Sequence, residues 1–164
     1  MAHRYFTLDQ AQAALPRVRA LLGRSLQLHG HLRTAIATLG DVGGTVSWPM
    51  LRGEEELEEL EPEVADALER ARMIYQALRE SVVDIEALGV EVKGIVDGLV
   101  DFRSWHDGTR EVLLCFKLGE SEIRFFHGLE DGFAGRRPVA GERFTAEPDA
   151  DAVSLGADEA STPH

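Results

Sequence analysis

The sequence predicts an α+β fold in which a long antiparallel two-helix hairpin packs on a small three-stranded antiparallel sheet. Three observations predict it. Two long segments repeat apolar residues at helical spacing, the apolar period then shortens from about 3.6 residues to 2, and the C-terminal segment has no periodicity. We therefore expect one α+β domain over residues 1–140, followed by a disordered acidic tail over residues 141–164.

The first helix is predicted over residues 7–40. Thr7 and Gln10 have the spacing of a capping box, and Gly40 favours a helix end. Pro16 lies inside the pattern and should kink or split the helix, because proline cannot donate the backbone hydrogen bond. The apolar stripe of this helix comprises Leu8, Ala11, Leu15, Val18, Leu22, Leu32, Ile36 and Leu39.

The second helix is predicted over residues 54–89, after a loop at residues 41–53. Its first turns are strongly acidic, Pro62 is a candidate first helical residue, and Gly89 favours the end. Both apolar stripes are wider than a narrow coiled-coil seam. We therefore expect a homodimer that forms through the helices.

The sheet is predicted over residues 98–127. Strand patterns cover residues 98–102, 111–118 and 122–127, and Asp107-Gly108 is a strong turn signal between the first two strands. Three antiparallel strands with one apolar face would pack on the helix pair.

Four blocks of the sequence resemble a known family. They are FTLDQAQAALPRVR, GVEVKGIVDGLVDF, REVLLCFKLGESEI and FFHGLEDGFAGRRP, in that order. Together they resemble an uncharacterised bacterial domain-of-unknown-function family of the DUF 2203 type, over roughly residues 5–139. The family has no established activity, so the resemblance implies no catalytic or binding residue. Arg103 follows LVDF where the family pattern leads us to expect proline.

Composition narrows the classes of function. The chain has 164 residues and a formal net charge of -12, which disfavours binding to nucleic acid or to an anionic membrane surface. Cys115 is the single cysteine, so an internal disulfide is excluded and a reducing compartment is favoured. With no signal-peptide pattern at the start and no apolar run long enough to span a bilayer, we expect a cytoplasmic protein.

His127 and Glu130 are the candidate metal ligands. They stand three residues apart where the third strand enters a loop, and imidazole with carboxylate suits a divalent metal. Asp101, Glu111 or Asp131 would have to supply the remaining ligands through the fold. The simpler interpretation is that His127 bonds to a neighbouring backbone group.

Arg136 and Arg137 are the candidate anion ligands. They follow a glycine-flanked turn, and a guanidinium suits a carboxylate or a phosphate. The alternative is that Arg136 pairs with a carboxylate such as Asp101 or Glu130 and holds the loop on the sheet. Cys115 lies in mid-strand and is interpreted as buried filler rather than a nucleophile.

The preferred function is a non-catalytic binding or interaction module with an unknown ligand. Its candidate ligand-binding residues are Asp101, Glu111, His127, Glu130, Arg136 and Arg137. The alternative is a small metal-dependent enzyme that acts on an anionic small molecule, with His127 and Glu130 on the metal and Arg136 orienting the substrate. The cofactor is unknown, with a divalent metal as the candidate. The catalytic residues, the ligand and the pathway are not indicated.

Overall fold

The computed structural model describes residues 2–55 and 59–151. Within them the chain forms three α-helices, six β-strands and one 3-10 turn. In chain order these are α1 (Leu8–Asp41), α2 (Trp48–Arg52), α3 (Pro62–Ala87), β1 (Glu91–Gly94), β2 (Leu99–His106), β3 (Arg110–Lys117), β4 (Phe125–Gly128), the 3-10 turn (Phe133–Gly135), β5 (Arg137–Pro138) and β6 (Phe144–Thr145).

The first helix begins as the sequence predicts. The Thr7 hydroxyl accepts from the Gln10 backbone N–H at 3.0 Å, and the Gln10 side chain accepts from the Thr7 N–H at 3.0 Å. Of the kink or split expected at Pro16, the split is absent, since α1 runs through that residue to Asp41. Leu15 and Val18, on either side of the proline, are buried in the core. Their packing offsets the cost of about 3 kcal/mol that an internal proline brings.

The second long helix begins later than residue 54. It starts at Pro62, because the first position is where a helix tolerates a residue without an N–H. Residues 41–53, expected as a loop, include the short helix α2, which Ser47 caps by accepting from the Met50 N–H at 3.3 Å. Gly89 has a positive φ of 86°, as its predicted role at the end of α3 requires.

The expectation of three strands is wrong, because the antiparallel sheet has six. Its order is β1-β2-β3-β4-β5, and β6 pairs with β2. The three predicted strands correspond to β2, β3 and β4, and the turn at Asp107-Gly108 is confirmed by positive φ values of 53° and 70°. The additional strands β1, β5 and β6 have only four, two and two residues, too few to produce a visible alternation.

The two faces of the sheet have different neighbours. Successive residues of a strand point to opposite faces, and directly paired residues share a face. The inner face packs on the helices through Val100, Phe102, Val112, Leu114, Phe116 and Phe126. The other face, which we call the outer face, carries Leu99, Asp101, Arg103, Leu113, Cys115, Phe125 and His127.

The helical hairpin extends beyond the sheet and has a second apolar cluster there. α2 closes that part of the hairpin with Leu51. The buried members of this cluster are Leu32, Ala35, Leu51, Ala71 and Leu78.

The packed chain continues past residue 140, where the sequence predicts a disordered tail. Phe144 is buried and makes an edge-to-face contact with Phe126, with ring centroids 4.9 Å apart, and Phe144–Thr145 pairs with the end of β2. Strand pairing and hydrogen bonds from Arg143 and Asp149 hold this segment on the sheet together with the Phe144 ring, although the segment has no periodicity. Residues 152–164 of the predicted tail lie outside the described residues.

None of the helices in the described part of the chain combines the length and the apolar character needed to cross a bilayer.

Candidate functional site

A hollow of about 280 Å³ lies on the outer face of the sheet, and we call it the outer-face hollow. Three ionisable side chains, those of Asp101, Cys115 and His127, form its floor and are almost completely buried. The full lining is Lys93, Leu99, Asp101, Leu113, Cys115, His127, Leu129, Glu130, Gly132 and Phe133. The hollow therefore combines an apolar wall with a small number of polar groups, as small-molecule sites do.

Strand register brings the three floor residues together. Asp101 on β2 is directly opposite Cys115 on β3, and His127 on β4 is opposite Leu113, which places it diagonally across from Cys115. One carboxylate oxygen, the sulfur and one imidazole nitrogen all lie within 4.8 Å of one another. Residues far apart in sequence thus form one compact polar cluster, which we call the floor cluster.

A backbone carbonyl orients the imidazole of His127. Nδ1 lies 2.8 Å from the carbonyl oxygen of Gly128, and because a carbonyl only accepts, Nδ1 carries the hydrogen. The predicted local backbone contact of His127 is therefore confirmed. Nε2 points the other way and lies 3.4 Å from Oδ1 of Asp101. That distance exceeds the usual 2.7–2.9 Å of a charge-assisted hydrogen bond.

Burial dominates the electrostatics of the floor cluster. It raises the pKa of Asp101, against the opposing effect of the nearby His127 and Lys93. Burial and the neighbouring Asp101 carboxylate raise the pKa of the Cys115 thiol to about 12. The thiol lies beside the Asp101 carboxylate and, in the absence of a bound cation, stays protonated near neutral pH.

The loop after β4 forms the rim of the hollow. The Gly128 N–H donates to the Asp131 carboxylate at 3.0 Å, and the Gly128 carbonyl accepts from the Asp131 N–H at 3.2 Å. A Cβ at Gly128 would lie only 2.5 Å from that carboxylate, so a larger residue there would displace it. Glycine at 128 therefore permits the contact that holds the rim, where exposed Leu129 and Glu130 line the opening.

Arg136 anchors the far end of the same loop. Its Nη2 donates to both carboxylate oxygens of Glu120, at 2.7 and 2.8 Å. Its guanidinium also lies over the rings of Phe125 and Phe133, at 4.2 and 4.6 Å from their centroids. The predicted carboxylate partner is therefore present, but it is Glu120 rather than Asp101 or Glu130.

The remaining candidate residues lie elsewhere. Arg137 is exposed and stacks over Phe126, and neither arginine is among the described residues that line the hollow. Glu111 is on the outer face but belongs to another network, in which Arg103 bonds to both Glu111 and Glu91 at 2.7 Å.

A second group of potential metal ligands lies near the end of β2. His106 Nε2 is 2.7 Å from Glu142 and 3.4 Å from Asp107. Both of these carboxylates are exposed. The imidazole also stacks against Phe126 and Phe144 on the inner face.

Two of the polar residues that line the hollow, Cys115 and Lys93, were not among the candidates selected from the sequence. Cys115 looks like filler because its neighbours Leu114 and Phe116 are core residues, and Lys93 belongs to a strand too short to recognise. Only the observed register distinguishes Cys115, since it pairs with Asp101, and an acidic side chain opposite a mid-strand cysteine is an unusual pair to bury. The predicted pair of His127 and Glu130 does line one hollow, with His127 on the floor and Glu130 at the rim.

Comparison with known proteins places the chain in a family without assigning an activity. No curated protein and no solved structure matches it. Residues 4–139 match the family model described as an uncharacterized conserved protein, DUF2203. The matched range contains the helical hairpin, the strands β1 to β5 and the whole floor cluster. Because the match covers most of the chain, the protein belongs to the DUF2203 family.

Proposed function

We propose that the protein is a non-catalytic binding module that holds a small polar ligand in the outer-face hollow. The observation that carries the proposal is the burial of Asp101, Cys115 and His127 on a face that the helices leave uncovered. Apolar residues at these positions would cost less free energy to bury, because each buried ionisable group loses its hydration. Three such groups at the base of one hollow are better explained by a ligand than by stability.

The lining of the hollow defines the class of ligand. Leu99, Leu113 and Phe133 supply apolar contact, while the polar groups are on the floor and at the opening. A cavity of about 280 Å³ accommodates a small metabolite or a hydrated ion, but not a peptide segment with several side chains. Lys93 is exposed at the opening and provides a positive charge for an anionic group.

A plug variant tests this proposal without altering the floor cluster. Leu129 is about half exposed at the rim, so Leu129→Trp should fill the opening while the fold is retained. Val83 on α3 is similarly exposed and far from the hollow in sequence, so Val83→Trp is the matched control. A thermal-shift screen of small anionic and neutral metabolites is run on all three proteins, with and without added divalent metal.

The proposal predicts at least one compound that stabilises the wild type and Val83→Trp but not Leu129→Trp. Ligand binding to the folded state raises the melting temperature, and a ligand at a hundred times its Kd contributes about 2.7 kcal/mol. A screen in which no compound distinguishes Leu129→Trp from Val83→Trp would overturn it.

A metal-dependent enzyme is the second candidate, and one observation favours it. Glu130 and Lys93 line the same hollow as the floor cluster. A carboxylate could act there as a general base, and an ammonium group could orient an anionic substrate. Conversion of a compound identified in the screen, abolished in Glu130→Gln while binding is retained, would establish the enzyme and exclude the non-catalytic module.

Homodimerisation through the helices stays a prediction, as does a cytoplasmic location. Light scattering at micromolar concentrations measures the first directly. Twice the chain mass of 18.0 kDa is expected, and a monomer across the whole range would refute it.

A further inference from the structure

We infer that Asp101, Cys115 and His127 form a binding site for one zinc-type divalent cation, with a fourth coordination position open to the outer-face hollow. This inference deepens the proposed function and rests on it. It differs from the sequence-based metal hypothesis in its ligands, because Cys115 and Asp101 take the place of Glu130.

The three donor types suit this class of cation. Zinc and its chemical neighbours take thiolate sulfur, imidazole nitrogen and carboxylate oxygen, whereas magnesium and calcium take oxygen almost exclusively. An ionised carboxylate and a thiolate together carry two negative charges, which a divalent cation neutralises. The cation thereby removes the free-energy cost of burying these two charges.

The distances require only a small contraction. Bonds of about 2.0–2.3 Å place the ligand atoms of a tetrahedral zinc site roughly 3.3–3.8 Å apart. Nε2 of His127 and Oδ1 of Asp101 are already 3.4 Å apart, and all three donor atoms lie within 4.8 Å of one another. Side-chain rotations that shift the donor atoms by a few tenths of an ångström to about 1 Å would bring them to these separations without movement of the strands.

The imidazole is already oriented as a ligand. In metal sites the second ring nitrogen of a ligating histidine usually donates to a carbonyl or a carboxylate, which fixes the tautomer. Nδ1 of His127 makes that contact with the Gly128 carbonyl at 2.8 Å. Nε2 of His127 faces Oδ1 of Asp101 at 3.4 Å, so one cation bound at this point would contact both atoms.

Three protein ligands with one open position is the arrangement of zinc sites that bind a further molecule, whereas structural zinc sites have four protein ligands. The floor cluster opens into a hollow that Glu130 and Phe133 also line. The cation would therefore hold the polar group of the ligand, and the apolar wall would contact the rest of it.

Cobalt(II) titration of protein purified without a metal-affinity column and treated with a chelator tests the inference. A thiolate ligand gives an intense near-ultraviolet charge-transfer band, and a tetrahedral site gives visible bands that octahedral cobalt lacks. We expect both at one ion per chain, with zinc displacing the cobalt. Cys115→Ser should abolish the charge-transfer band, and Asp101→Asn and His127→Gln should each weaken binding by at least about tenfold.

The group at His106 supplies the matched control, because it presents another imidazole beside two carboxylates. His106→Gln should leave the cobalt spectrum and the affinity unchanged. Circular dichroism and thermal melting of each variant identify a loss of fold. If one floor variant unfolds, the zinc-induced rise in the melting temperature of the wild type is compared with that of His106→Gln. This comparison gives an independent readout of metal binding.

Absence of the charge-transfer band in the wild type, its persistence in Cys115→Ser, or loss of binding in His106→Gln would each overturn the inference. The proposed function fails separately, in the plug-variant screen. Compounds that discriminate Leu129→Trp from Val83→Trp without cobalt binding would leave a metal-independent binding module. Cobalt binding without such compounds would leave a metal site whose hollow takes no small molecule.

Discussion

Replacement of Arg136 by alanine should destabilise the fold by about 2–3 kcal/mol. The charge-assisted contact of its Nη2 with Glu120 contributes about 1.5–3 kcal/mol, and the two aromatic stacks add roughly 0.5–1 kcal/mol each. The side chains are only 11% and 21% exposed, so solvent screening is modest. The buried Nε has no hydrogen-bond partner among the residues that the structure describes, which offsets part of the gain.

Arg137 is the matched control, because it is the neighbouring arginine and is exposed. Arg137→Ala removes the stack over Phe126 at 4.7 Å and should cost roughly 0.5–1 kcal/mol. Arg136→Lys keeps the charge but loses the planar stack, so it should fall between the two alanine variants.

Urea denaturation followed by circular dichroism gives the free energy of unfolding of each variant. A double-mutant cycle with Glu120→Ala should show a coupling of about 1–2 kcal/mol between the partners. Additive effects of the two mutations, or an Arg136→Ala cost no larger than that of Arg137→Ala, would show that the contact between Arg136 and Glu120 does not stabilise the fold. Arg136 would then behave as the free anion ligand of the sequence-based hypothesis.

Three further predictions concern other parts of the molecule. Phe144→Ala should destabilise the protein by roughly 3 kcal/mol in a urea melt, because the ring is 7% exposed and packs on the core; a cost under about 1 kcal/mol would show that the segment after residue 140 is not part of the fold. Burial acts to raise the pKa of Glu91, but the bonds from Arg103 outweigh it and lower that pKa. This ion pair therefore stabilises the folded protein above the ordinary glutamate pKa, and its contribution is lost as the pH falls through the lowered pKa. The stability difference between wild type and Glu91→Gln, up to about 1 kcal/mol at neutral pH, should therefore vanish in acid, and a difference that grows in acid would contradict this sign. In metal-free protein Cys115 should react with iodoacetamide at pH 8 at least a hundredfold more slowly than in urea, since the thiol is 2% exposed and its pKa is about 12; rapid alkylation of the folded protein would refute that burial.

The two long helices were predictable because their apolar stripes extend over many turns and their ends carry specific signals. Thr7 with Gln10, Pro62 and Gly89 each perform the role that their local chemistry indicates. The sequence overstates the effect of Pro16 on the helix because the cost of an internal proline is local. The packing of Leu15 and Val18, which outweighs that cost, depends on the tertiary structure.

The floor cluster was not predictable, because it depends on the register of the hairpin between β2 and β3. A two-residue loop at Asp107-Gly108 would pair Asp101 with Leu114 and place Cys115 on the other face. The actual loop also includes Thr109, so His106 pairs with Arg110 and Asp101 with Cys115. A shift of one residue reverses every side chain of a strand, and the sequence contains no feature that distinguishes the two loop lengths.

Anomalous diffraction at the zinc edge, from crystals grown with zinc, tests the role of the floor cluster most directly. We expect one strong peak per chain, within about 2.0–2.3 Å of a carboxylate oxygen of Asp101, Sγ of Cys115 and Nε2 of His127. Full zinc occupancy at His106 and Glu142 with no peak at the floor cluster, or no ordered zinc at all, would contradict it.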